Sequence, residues 1–271
     1  MTRRPAILAL VLALAIGGCT VAATAPPTAS PQTVFSPMPS PAAPSTAIGP
    51  SDPAMTPGPV LGLKVWLAAL AARATSTVKV TTIGDSITAG WGSSDPAHWW
   101  TAVLLASLDA RYGPRFGLTN DGVAGGQVTT FLNGSAVAAI PADTALVVIE
   151  LGINSAGHSV GAAAFEASLK ALIDQVADVT DASILVVGSY DIAADDSVWP
   201  DYLDAMVVAA ATKGVCYLSV APEFAAGGMI SGDGVHPNDA GHALIASRIY
   251  ELLSAPEAAS VGRRPRIRAG S

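Results

Sequence analysis

Val78-Lys-Val-Thr-Thr-Ile-Gly-Asp-Ser-Ile-Thr-Ala-Gly90 is an apolar stretch that breaks off in Gly84-Asp85-Ser86. Val78, Val80 and Thr82 alternate and run into Ile83, a β-branched pattern that predicts a strand. The Gly-Asp-Ser that follows predicts the loop leaving its carboxyl end. In an open α/β sheet, ligands bind at that edge. A serine there is placed to react if a base can reach it. The candidate base lies far along the chain, in Asp233-Gly-Val-His-Pro-Asn-Asp-Ala-Gly-His242.

Outward from this strand, apolar periodicity predicts an alternation of elements. Leu63 to Ala72 is alanine-rich and apolar and predicts a short helix. Trp100, Leu104, Leu108 and Tyr112 recur every four residues, a helical stripe that Gly113-Pro114 ends. Ala145 to Leu151 is a continuous apolar run of strand length, as expected of a strand buried on both faces of a parallel sheet. Phe165, Leu169, Leu172, Ile173, Val176 and Val179 form a second helical stripe, followed by a strand at Ile184 to Gly188. Leu203, Met206, Val207 and Ala210 predict a helix closed by Gly214, and Val215 to Val220 predicts the last strand. Asn238 or Asp239 can cap a final helix carrying Ala240, Leu244, Ile249, Leu252 and Leu253. Strands alternating with helices of this length predict a three-layer α/β/α sandwich with a mainly parallel sheet.

The flanks differ in composition. Arg3 and Arg4 precede an apolar run from Ala6 to Ile16, a charged segment followed by a hydrophobic one of secretory type. The run is shorter than the ~20 residues a spanning helix needs. It closes in Ile16-Gly17-Gly18-Cys19, which resembles a bacterial lipobox. That resemblance implies cleavage before Cys19 and lipid on its sulfur, so residues 1–18 are expected to be a signal peptide. The alternative is ordinary cleavage after Ala23-Thr-Ala25, which would leave a soluble exported protein. Residues 19–59 are rich in Pro, Ala, Ser and Thr, and cannot bury enough apolar surface to offset their ordering entropy. They are expected to be a disordered spacer, ~40 residues reaching about 120 Å at most. A folded domain is expected over 60–255, and a disordered basic tail over 256–271 with Arg263, Arg264, Arg266 and Arg268. That tail could also hold anionic lipid or wall polymer.

The chain has 271 residues, 51% of them hydrophobic, which suffices for one sizeable core. A formal charge of −7 gives no footprint for nucleic acid. Of the two cysteines, Cys19 sits at the expected cleavage site and Cys216 in an apolar strand, so no disulfide framework is expected. No cluster has metal-ligand spacing, so neither metal nor other cofactor is expected. A monomer is expected.

A serine hydroxyl is a poor nucleophile at neutral pH and needs a base to take its proton. An imidazole, with an unperturbed pKa near 6.5, can take that proton from Ser86 and return it to a leaving group. His236 is the candidate. Asp233, three residues earlier, is close enough to bond the other ring nitrogen and stabilise the imidazolium.

Gly84-Asp85-Ser86 and Asp233-Gly-Val-His236 together resemble the SGNH, or GDSL, family of esterases and lipases. Two intervening blocks extend the resemblance, Asn120-Asp-Gly-Val-Ala-Gly-Gly-Gln127 and Glu150-Leu-Gly-Ile-Asn154. The resemblance implies a catalytic triad of Ser86, Asp233 and His236 on a five-stranded, flavodoxin-like sheet. It implies an oxyanion hole from the backbone N–H groups of Ser86 and Gly125 and the side-chain amide of Asn154. Gly126, beside Gly125, is the alternative donor. Ser155 stands where the family pattern has aspartate. The implied activity is hydrolysis of carboxylic esters through an acyl-enzyme, with a small-molecule, lipid or glycan ester as substrate. Acyl transfer through the same intermediate, and a non-catalytic binding lipoprotein, are the alternatives. The absence of a long lid-like insertion favours short acyl groups.

Among the remaining candidates, Asp85 reads as an organiser of its loop. His98 is unassigned, His158 reads as a solvated loop residue, and His242 as exposed or satisfied in the core. Trp91 and Trp99 could line a pocket or stack on a sugar, whereas the spacing of Trp100 places it in the core.

Overall fold

The sheet has five parallel strands: β1 (Val78–Gly84), β2 (Phe116–Gly122), β3 (Thr144–Glu150), β4 (Ser183–Gly188) and β5 (Cys216–Ser219), in the order β2-β1-β3-β4-β5. The structure, a computed structural model, describes residues 60–72, 77–132, 134–190, 198–225 and 227–261. The expected signal peptide, Cys19, the spacer and the four tail arginines lie outside the described residues.

Every residue of β3 and β4 is buried, and β1 is buried except at Lys79. Such β-branched runs have no solvent face, so they suit central strands covered by helices on both sides. The helices in chain order are α1 (Lys64–Ala71), α2 (Trp100–Tyr112), α3 (Val128–Phe131), α4 (Ser135–Ala138), α5 (Ile153–Gly157), α6 (Ala162–Val179), α7 (Trp199–Lys213), α8 (Ala221–Phe224) and α9 (Asp239–Val261). Helices α2 and α9 pack together, joined by α1, whose Trp66 indole donates to Leu253 O at 3.2 Å. Helices α6 and α7 form the other group, with α3 and α4 against α6. This is the expected three-layer α/β fold.

The structure departs from the sequence expectations in three places. Strand β2 was not foreseen: in Phe116-Gly-Leu-Thr-Asn-Asp-Gly122 only Phe116 is buried, because this is an edge strand and its polar residues carry no strand pattern. On α7 the buried face comprises Trp199, Tyr202, Ala205, Met206, Ala209 and Ala210, whereas Val207 and Val208 are exposed. Helix α9 continues through Pro256 to Val261, so the boundary expected at 255 falls inside a helix. A proline removes one helical hydrogen bond, but the Ala and Glu residues around it are strong helix formers.

Register is what positions the site. Gly84 at the end of β1 pairs with Gly122 of β2 on one side and Glu150 of β3 on the other. Three strands therefore end at one level, and the loops after them start side by side. Gly84 has no room for a side chain there, since a Cβ would lie 2.0 Å from Thr88 Oγ1 and 2.8 Å from Glu150 O.

Candidate active site

The histidine of the C-terminal block sits on a short hairpin. Ser231 N–H donates to His236 O at 2.8 Å and Asn238 N–H to Met229 O at 2.9 Å, and Ile230 and Pro237 form an antiparallel bridge. Asp233 closes the turn between them. Its Oδ1 accepts the Ser231 hydroxyl at 2.8 Å and the N–H groups of Val235 and His236, both at 2.9 Å. Its Oδ2 accepts Nδ1–H of His236 at 2.7 Å. With Nδ1 the donor, Nε2 is the acceptor, and the Ser86 hydroxyl donates to it at 2.8 Å. The bonds from the backbone and the ring of His236 hold the Asp233 carboxyl well below the usual carboxylate range.

Ser86 lies in a tight turn after β1. Ala89 N–H returns to Asp85 O at 3.0 Å and Trp91 N–H to Ser86 O at 2.9 Å. Asp85 organises this turn as expected: Oδ1 accepts Ile87 N–H at 2.9 Å, and Oδ2 accepts the Asn154 amide at 3.1 Å. The same amide also donates to Gly126 O at 3.2 Å, so both Asn154 protons have protein acceptors. Gly126 N–H is spent on Val123 O at 2.8 Å. The N–H groups of Ser86 and Gly125 have no acceptor among the described residues. Gly125 adopts φ +71°, a left-handed conformation suited to glycine, and a Cβ there would meet nothing within 4 Å.

Ser86, Gly125, Asn154 and His236 converge on one pocket of about 200 Å³, walled by Ile87, Ile153, Val235 and Trp91. Asp233 stands behind His236. A hydroxyl hydrogen-bonded to an imidazole, the imidazole to a carboxylate, and two free N–H groups beside them can support nucleophilic attack on a carbonyl.

The family described as GDSL-like lipase/acylhydrolase matches residues 82–244, which include every residue of this constellation. The chain belongs to this family of serine ester hydrolases. A comparison with curated proteins finds no match. Among solved structures it is similar to an α/β hydrolase enzyme from the metagenome of Lake Arreo, Spain (22% identity, TM-score 0.57, 67% of this chain and 97% of that one). It is also similar to a two-domain esterase active on acetylated mannans (21%, TM-score 0.63, 79% and 58%). A variant of an acetyl xylan esterase from Geobacillus stearothermophilus is a third (20%, TM-score 0.57, 67% and 96%). These likenesses show the shared fold.

Beneath Ser86, this GDSL hydrolase buries two carboxyl groups that its sequence did not single out as a pair. Asp85 follows β1 and Glu150 ends β3, and Thr88 donates to Glu150 Oε2 at 2.9 Å. Burial raises the pKa of Asp85 from 3.8 to about 6 and raises that of Glu150 well above its ordinary value, with the Asp85 charge adding to the latter. A second unforeseen residue is Tyr190, just past β4. Its hydroxyl donates to Val235 O at 2.9 Å, steadying the His236 turn, while its ring stacks on Phe224 at 3.9 Å. Burial keeps that phenol protonated, so it remains a donor.

The other histidines serve structure. His242 is fully buried and bonded at both nitrogens, His158 Nδ1 lies 2.7 Å from Asn154 O, and His98 meets Ser94 and Asp95 at 3.0 Å on the surface. Trp100 is in the core and Cys216 is a buried free thiol. Among the described residues no group of three His, Cys, Asp or Glu could hold a metal ion.

The buried carboxyls make stability depend on pH. Because the folded pKa of Asp85 is raised, its contribution is fully present below about 3.8 and is lost as pH rises through about 6. Glu150 acts in the same direction. Asp233 acts oppositely, but its window lies below its ordinary 3.8. Asp85→Asn should therefore gain on the wild type in thermal melts as pH rises from 4 to 7. A melting difference that stays constant over that range would refute the assignment.

Proposed function

We propose that the protein is an exported serine esterase that removes short acyl groups from esters through an acyl-enzyme on Ser86. The observation that carries this reading is the continuous hydrogen-bond chain from Ser86 through His236 to Asp233, opening on a small pocket. In the first half-reaction, Ser86 Oγ bonds to the ester carbonyl carbon as its proton passes to His236 Nε2. The carbonyl π electrons move to the oxygen. When the tetrahedral adduct collapses, the bond to the alcohol oxygen breaks and that oxygen takes the proton from Nε2. Water then gives a proton to Nε2, its oxygen bonds to the acyl carbon, and Ser86 leaves with the proton. Asp233 stays ionised and stabilises the imidazolium in both halves.

The free N–H groups of Ser86 and Gly125 would receive the oxyanion. Asn154 joins them by exchanging Gly126 O, a neutral acceptor, for the charged oxygen, a stronger one. A pocket of about 200 Å³ suits a short acyl chain. Two relatives in fold are an esterase active on acetylated mannans and an acetyl xylan esterase, which makes acetyl esters the first substrates to try.

Export and tethering rest on sequence. Arg3, Arg4, the apolar run to Ile16 and Cys19 support a lipidated N-terminus, with the Pro-rich segment as a spacer between the membrane and the enzyme. Among the described residues, no helix is long and apolar enough to cross a membrane.

In a series of chromogenic esters from two acyl carbons upward, turnover should be fastest at the short end. Ser86→Ala should lower it by roughly 10⁴ or more, and Asn154→Ala by about 10² to 10³. Activity surviving in Ser86→Ala would point to another nucleophile. In a bacterial host, the full chain should incorporate radiolabelled palmitate and Cys19→Ser should not; equal labelling of both would rule out the anchor.

A further inference from the structure

Trp91 combines a fixed backbone with an exposed ring. Its N–H donates to Ser86 O at 2.9 Å, and its carbonyl accepts Nε2–H of the fully buried His242 at 2.9 Å. His242 Nδ1 in turn accepts Trp100 N–H at 3.3 Å. The adjacent Gly92 is pressed against the histidine hairpin: a Cβ there would lie 2.4 Å from Pro237 O and 2.7 Å from His236 Cβ. Further on, the N–H and hydroxyl of Ser94 both donate to Asp239 at 2.8 Å, tying the loop to the start of α9. Trp91 as a residue is nevertheless 54% exposed. Its N–H has no acceptor among the described residues. Beyond its tilted contact with His236, the ring leaves apolar surface and an N–H open for a ligand to cover.

The position of the ring indicates what would cover it. Trp91 lines the same pocket as Ser86, with its ring centroid 5.4 Å from that of His236 and tilted by 45°. His236 Nε2 is the atom that hands a proton to the departing alcohol, so the alcohol part of the ester must lie beside His236, where Trp91 is. We propose that Trp91 is the binding platform for the alcohol part of the substrate, and that this alcohol is a pyranose. A pyranose offers a face of C–H groups to the indole and a rim of hydroxyls, one of which can accept the indole N–H. A plain alkyl chain would cover the ring and leave that N–H unpaired. A phosphate headgroup would meet no cation, since neither lysine nor arginine lines the pocket. The proposal rests on hydrolysis at Ser86 and adds the class of alcohol.

The test compares three acetates that share an acyl group: a methyl O-acetyl-glucopyranoside, octyl acetate and methyl acetate. Each is assayed with wild type, Trp91→Ala, Trp91→Phe and Ser86→Ala. For Trp91→Ala, kcat/KM on the sugar ester should fall about tenfold more than on methyl acetate and clearly more than on octyl acetate. Trp91→Phe should recover part of the loss, because it restores the face without the N–H. Equal losses on all three esters would make Trp91 a support for His236 and overturn the platform. A loss on octyl acetate matching that on the sugar ester would replace the sugar with an apolar alcohol. If no ester shows turnover that depends on Ser86, the underlying hydrolase reading fails and the platform with it.

Discussion

The parallel register of β2, β1 and β3 is the constraint on which everything else depends. Gly84, Gly122 and Glu150 stand level across three strands, so the chain emerges three times at one edge of the sheet. Each emergence delivers a different group: the Ser86 hydroxyl after β1, the Gly125 N–H after β2 and the Asn154 amide after β3. The strand order reverses between β1 and β3, and at such a switch point the outgoing loops diverge and leave a crevice. A slip of one residue in β1 would exchange the side chains packed against the two helical layers, so close packing on both faces holds the strand ends in line.

The fourth group comes from outside the sheet and needs its own support. The His236 hairpin is closed by Asp233, braced by Tyr190 through Val235 and pressed on by the loop that carries Trp91. A carboxylate with four donors is strongly ionised and fixed in place, which suits it to hold an imidazole through a cycle of protonation. Under the serine the balance is reversed. There Asp85 and Glu150 are desolvated, and the folded protein keeps protons on them more tightly than the unfolded chain does. The site thus combines an exposed, well-solvated carboxylate that favours charge with a buried pair that disfavours it.

Much of this was legible in the sequence, for identifiable reasons. Strands β1, β3 and β4 are apolar throughout, and the helical stripes of α2 and α6 repeat over several turns, so periodicity alone locates them. The family blocks mark Ser86, Asp233 and His236, which the fold brings into hydrogen-bond contact, and Asn154 and Gly125, which line the same pocket. Strand β2 was hidden because its partner on one side is solvent, so its residues did not need to be apolar. The bonds of Thr88 to Glu150 and Tyr190 to Val235 join distant positions through burial and register, neither of which leaves a local pattern. The competition for the Asn154 amide was equally invisible, since it depends on where Gly126 O points.

If His236, backed by Asp233, activates Ser86, that serine should be the reactive hydroxyl of the protein. A fluorophosphonate that phosphonylates activated serines tests it most directly, read by peptide mass spectrometry on the wild type and on His236→Ala. The wild type should carry one adduct, on Ser86, and labelling should be slowed by orders of magnitude in the variant. An adduct on a different residue, or equally fast labelling of both proteins, would contradict it.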